Sequence, residues 1–225
     1  MSEILKINLK IIDNPIIVSS LTSLVIQNVQ LFAKIVQEIS NYSEESEEIK
    51  IFDHNYTSLK DTELVVISDI IGFELNSASI IQIVHKDLEK QIFSDEDKRS
   101  HMENIINELS HLVELELIHF TLDLENSNFS LVDLFKLMKV KIATDIDSIF
   151  DKVMEIIRIC KYLPKKRLLI LVNAGTFLTQ DQLIEIEEYV ELHNYTVLLI
   201  YRHEFSGVVN QYIIDDDFVV MKMEK

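Results

Sequence analysis

Apolar and polar residues alternate with period two in "ILKINLKII" (Ile4–Ile12), the pattern of a half-exposed strand. Asp13, Asn14 and Pro15 form a turn signal, so "IIV" (Ile16–Val18) reads as the second strand of a hairpin. Ser19–Asn28 reads as a loop. Leu31, Phe32, Ile35, Val36 and Ile39 then recur at helical spacing and predict a helix over about Val29–Ser40. "SEESEE" (Ser43–Glu48) is a solvated acidic loop, and "IKIFD" and "ELVVISDII" are short strand candidates. The second is apolar enough to be buried.

The middle of the chain changes character. Ile80, Ile81, Val84 and Leu88 mark one helix, and "SDEDKRS" (Ser94–Ser100) interrupts or bends it. Met102, Ile105, Ile106, Leu109, Leu112 and Val113 mark the next. From Asp95 to Ile118 this helix would be about 36 Å long. It needs a partner along its length, and the helix expected at Ile146–Leu163 is the candidate, with Thr144 as its cap. Between them, "FTLDLENSNFSLVDLFKLMKVKI" reads as strand, acidic turn, short helix and strand. Ser130 and Asp133 have capping-box spacing.

After Pro164, "RLLILVNA" (Arg167–Ala174) is nearly continuous apolar and predicts a central buried strand. Thr179 and Gln182 fit a capping box for a helix reaching about His193. "YTVLLIY" (Tyr195–Tyr201) reads as another central strand and "FVVMKME" (Phe218–Glu224) as an edge strand. Strand, helix and strand at this spacing predict a right-handed parallel unit. The expected fold is therefore α/β. Residues 1–75 and 164–225 form a head domain, and a helical leg domain, 76–163, is inserted between its halves.

Net charge is −17, from 21 Lys and Arg against 38 Asp and Glu. An acidic surface repels a polyanion, so nucleic-acid binding needs a local basic surface or a bound cation. A single cysteine, Cys160, excludes a disulfide within the chain and reads as a core thiol. The start, "MSEILKINLK", is charged and alternating, unlike a signal peptide. No apolar run approaches the roughly 18 residues of a membrane span. The expected location is the cytoplasm, with no membrane partner.

Familiar catalytic patterns are missing. Ser19–Asn28 follows a strand and precedes a helix, where α/β proteins often carry a phosphate loop. It has neither the glycines nor the lysine of G-x-x-x-x-G-K-[ST]. "NAGT" (Asn173–Thr176) follows a central strand, and there Gly175 is expected to allow a sharp turn. The seven histidines form no H-E-x-x-H. "DDD" (Asp215–Asp217) reads as a solvated turn or a metal ligand set.

Two features can carry function. Asp133 to Arg167 holds nine basic and five acidic residues, a balance of +4 in a chain of −17. Its basic candidates are Lys136, Lys139, Lys141, Lys152, Lys161, Lys165, Lys166 and Arg167. Such a strip can take a phosphate backbone, and it also reads as an ordinary mixed surface. The other is "LDLENSN" (Leu122–Asn128), where Asp123, Glu125 and Asn128 offer oxygens of the kind calcium takes. It also reads as a polar turn.

"QLFAKIVQEI", "LVVISDIIGFELNS", "DLEKQ", "FSLVDLFKLMKVKI", "DSIFDKVMEIIRICKYLPKKRLLILVNAGTFLT" and "YTVLLIY", in this order, resemble the Csn-two family of CRISPR-associated proteins from type II-A systems. The resemblance covers essentially the whole chain. It implies a non-enzymatic factor of spacer acquisition in antiviral defence. It also implies a homotetrameric ring, with heads like a P-loop ATPase core that lost its phosphate loop, and no bound nucleotide. The ring is expected to take ends of double-stranded DNA through its opening, with calcium stabilising the DNA-binding form. Implied partners are the adaptation integrase and the type II-A effector nuclease. The turn at Asp123–Asn128 matches an acidic turn richer in carboxylates in many relatives. Two other readings stand beside this one. One is a scaffold that docks proteins and ignores DNA. The other is a divergent metal-dependent nucleotidase using Asp215–Asp217 or "NAGT".

Overall fold

The computed structural model describes residues 3–122, 124, 129–144, 146–203 and 210–224. Five short strands rich in Leu, Ile and Val pair in parallel at its centre. They are β3 (Leu21–Ile26), β5 (Leu64–Ile67), β6 (Leu168–Val172), β7 (Val197–Tyr201) and β8 (Asn210–Ile214). The last strand, β9 (Val220–Glu224), joins antiparallel at one edge, giving a six-stranded order β5-β6-β7-β3-β8-β9. β6, β7 and β3 are buried along their whole length, as interior strands covered on both faces must be. A second, three-stranded antiparallel sheet has the order β2-β1-β4, with β1 at Leu5–Leu9, β2 at Ile16–Val18 and β4 at Ile49–Phe52.

Alternation along the strands divides the core. Leu24, Ile26, Leu168, Ile170, Leu198 and Ile200 cluster with Ile7, Val18 and Ile51 of the small sheet and with Leu31, Ile35 and Ile39 of helix α1 (Val29–Ser40). The intervening residues, such as Val25, Leu169 and Leu199, are equally buried and point to the opposite face. Helix α6 (Gln180–Leu192) lies against β3 and buries Leu183, Ile186 and Val190. The expected capping box is formed at its start, where Gln182 N–H donates to Thr179 Oγ1 and Thr179 N–H donates to Gln182 Oε1.

The chain divides into two units, Met1–Glu74 with Asp145–Lys225, and Leu75–Thr144. The second unit holds α2 (Ala78–Phe93), α3 (Glu96–Leu117) and α4 (Leu131–Leu137), with α2 against both others. The charged "SDEDKRS" breaks the helix rather than bending it. Ser94 follows α2, and the Asp95 carboxylate accepts from Lys98 N–H at 3.1 Å to cap α3.

The first unit takes up α5 (Ile149–Tyr162), which the spacing of apolar residues had placed in the leg beside α3. The physical reason is the width of its apolar surface. Val153, Met154, Ile156, Ile157, Ile159 and Cys160 are all buried, more than a two-helix seam can cover. The second division therefore falls at 144/145 and not at 163/164. Its cap is Ser148, whose Oγ accepts from Asp151 N–H at 3.1 Å, and not Thr144. Three strand assignments also change. Phe120–Leu122 and Lys139–Ile142 are not in strands, whereas Leu21–Ile26, read as loop, is the central strand β3.

Candidate nucleic-acid interface

The place for a phosphate loop lies between β3 and α1, and only Gln27 and Asn28 occupy it. Both are committed to the fold. Gln27 N–H donates to Ile214 O at 3.0 Å, and Gln27 O accepts from Arg202 Nη2 at 3.3 Å. Asn28 Oδ1 accepts from Leu31 N–H at 3.0 Å and so takes up a donor that a helix N-terminus would offer an anion. Serine and threonine hid β3 from sequence reading. Thr22 is buried because its hydroxyl donates to Ser19 O and accepts from Ser19 N–H and Asn210 Nδ2.

The "NAGT" turn is a short 3-10 helix over Ala174–Phe177. Its left-handed residue is Asn173, at φ 59°, one step before the alanine and two before Gly175. Asp215 closes the turn before β9 by accepting from Asp217 N–H and Val219 N–H at 3.0 and 2.8 Å.

The basic candidates split between the two units. Lys152, Lys161, Lys165, Lys166 and Arg167 belong to the first. Arg167, at the start of β6, faces three carboxylates. It grips Glu3 through Nε and Nη2, Glu63 through Nη1 at 3.0 Å and Asp53 through Nη2 at 3.4 Å. Glu3 foremost, then Glu63, holds the guanidinium far above its usual pKa against the opposing effect of burial. The Asp53 carboxyl is lowered mainly by Thr57 N–H, with Asn55 N–H and Arg167 adding to it. This cluster ties the N-terminal segment, the end of β4 and the start of β5 to β6. Lys166 Nζ donates to Leu64 O at 2.7 Å and Lys152 Nζ to Ile71 O. Lys161 and Lys165 are exposed and have no ion pair among the described residues.

Lys136, Lys139 and Lys141 belong to the helical unit, and all three are exposed. Lys136 Nζ donates to Asp133 at 2.9 Å. Asp133 also receives the Ser130 hydroxyl, and these bonds, Ser130 first, bring its carboxyl down to about 2. Lys139 and Lys141 form no ion pair among the described residues. They flank Val140 in a segment held to α2. Asn76 exchanges two hydrogen bonds with the Ile142 backbone, at 2.9 and 3.0 Å, and His85 Nε2 lies 2.8 Å from Val140 O. Sequence reading took "KVKI" for a strand because the alternation is real, while the side chains that hold it lie over 50 residues upstream.

Asp123, Glu125 and Asn128, the calcium candidates, lie outside the described residues. Among the described residues no group of three or more His, Cys, Asp or Glu is placed to hold a metal ion. No helix there is long and apolar enough to cross a membrane.

Residues 40–218 match the family model described as "CRISPR-associated protein (Cas_Csn2)". The chain is 38% identical over 214 residues to the CRISPR-associated protein Csn2 of Enterococcus faecalis, covering 95% of this chain and 97% of that protein. It is 36% identical over 217 residues to the Csn2 of Streptococcus agalactiae, covering 96% and 97%. Its fold resembles the crystal structure of Stu0660 of Streptococcus thermophilus, with a TM-score of 0.59 and 16% identity over 99% of this chain and 76% of that one.

Proposed function

Because the chain belongs to the Csn2 family of CRISPR-associated proteins, we propose that it is a non-enzymatic factor of spacer acquisition that binds double-stranded DNA ends as a homotetrameric ring. The observation that carries this reading is a set of exposed lysines without ion-pair partners among the described residues. They are Lys139 and Lys141 in the helical unit and Lys161 and Lys165 in the head. An ammonium group on a flexible stem neutralises a phosphate and releases its condensed counterion without reading a base. Arg167 and Lys166 serve the head internally and stand outside the proposed surface.

A chain of net charge −17 keeps DNA away from its exterior. A duplex enters a closed ring lined by such lysines only by a free end, so end preference arises without base contacts. The two-residue junction at Gln27-Asn28, already bonded within the fold, favours a scaffold without nucleotide chemistry over a nucleotidase. Calcium belongs to the proposal through the oxygen chemistry of Asp123, Glu125 and Asn128. The adaptation integrase and the effector nuclease are its proposed protein partners, in the cytoplasm.

Mass in solution, with and without calcium, tests the reading when linear and covalently closed duplexes are added in turn. A tetramer that binds linear but not closed DNA, with affinity falling steeply as salt rises, is expected. A monomer or dimer indifferent to both DNA forms would sink the ring and favour the protein-docking scaffold.

A further inference from the structure

We propose that Asn76 and His85 are positioning residues of the nucleic-acid surface: they fix Lys139–Ile142 as a preset strip that presents Lys139 and Lys141 side by side. The inference rests on the reading that these lysines meet phosphates.

Lys139–Ile142 lies in neither helix nor strand, so no ladder holds it. Its backbone bonds go elsewhere. Lys139 N–H donates to Lys136 O and Val140 N–H to Phe135 O, both at 3.0 Å, which closes the end of α4. Lys139 sits at φ 54°, a left-handed conformation that a lysine adopts only when its surroundings hold it there. Beyond it, the Asn76 amide satisfies both backbone groups of Ile142, as a neighbouring strand would. Val140 O accepts from His85. A carbonyl can only accept, so His85 carries its proton on Nε2. His85 is 2% exposed and its ring lies 5.6 Å from that of Phe135, itself buried, so the clasp is anchored in the core of the helical unit. Val140 and Ile142 are half-buried while Lys139 and Lys141 stay exposed. A loop ordered in advance loses less entropy when it meets its ligand.

Asn76→Ala and His85→Leu remove the clasp, and His85→Gln keeps a donor that reaches Val140 O. Two readouts separate shape from binding. Trypsin cleavage after Lys139 and Lys141 in the native protein reports whether the strip is held. Affinity for a linear duplex across a salt series reports what the strip does. The expected result is cleavage faster by about tenfold and affinity lower by about fivefold in Asn76→Ala and His85→Leu, with His85→Gln near wild type. In a Lys139→Ala/Lys141→Ala background, whose salt slope should fall by about 1.8 for two lost phosphate contacts, Asn76→Ala should lower affinity no further. Unchanged cleavage, unchanged affinity with faster cleavage, or an equal loss of affinity without the lysines each overturns the positioning role and leaves duplex binding standing. A wild-type protein that binds no duplex overturns the functional reading and this inference with it.

Discussion

At the scale of single residues, Arg167 shows what a local reading of charge misses. It closes the most basic stretch of the chain, yet its partners Glu3, Asp53 and Glu63 lie more than 100 positions upstream. No local pattern announces such a cluster, because it exists only once β4, β5 and β6 are assembled. Arg167 is 27% exposed and Asp53 11%, so the pairs are partly desolvated and removing the cation leaves three carboxylates facing one another. Arg167→Ala is expected to cost about 2–3 kcal/mol, lowering the melting temperature by about 5–10 °C for a chain this long. Arg167→Lys should recover little, because an ammonium cannot hold Glu3 through two parallel bonds. Duplex affinity at a temperature where the variant is folded should match wild type, while Lys161→Ala/Lys165→Ala weakens it. A normal melt with weakened binding would return Arg167 to the DNA surface.

At the scale of elements, period and capping were legible and long-range assignment was not. α1 follows its apolar spacing from Val29 to Ser40, and β6 and β7 follow their apolar runs. The boxes at Ser130–Asp133 and Thr179–Gln182 form as their spacing requires. β3 escaped because polar residues in a central strand look like loop until their hydrogen-bond partners are known. α5 was legible as a helix but not as a head element, since periodicity names a buried face without naming what covers it. Cys160 on that face gives the assignment a chemical test. Burial pushes its thiol up to about 12 from an ordinary 9.0, and burial likewise raises Tyr195. Above pH 9 the unfolded chain releases the Cys160 proton that the folded chain retains, so stability falls as pH rises from about 9 toward 12 and is unaffected below. The urea midpoint should be flat from pH 7 to 8.5 and decline above 9, with the early part of that decline reduced in Cys160→Ala. At pH 8 the native thiol should ignore a disulfide reagent and react fully in denaturant. Immediate reaction in the native protein would place α5 at the surface.

At the scale of the whole molecule, α3 is the element that a single chain leaves unexplained. None of its 22 residues is buried, although it packs on α2. Ile105, Leu109, Leu112 and Val113 recur at three-and-four spacing on it and are between 36% and 55% exposed. A contiguous apolar stripe on a long helix is costly to leave in water and suits another helix packed along it. In the proposed ring that helix comes from a second copy. Leu109→Glu/Leu112→Glu separates assembly from folding, because it alters residues that carry no part of the core of one chain. Sedimentation should show the tetramer reduced to smaller species, while the far-ultraviolet spectrum and the Arg167-dependent melt of the head stay unchanged. Duplex affinity should fall together with the mass, since threading needs a closed ring. A variant that remains tetrameric moves the assembly contact away from α3. A variant that dissociates yet binds linear and closed duplex equally well leaves the lysines as the DNA surface and removes threading as the source of end preference.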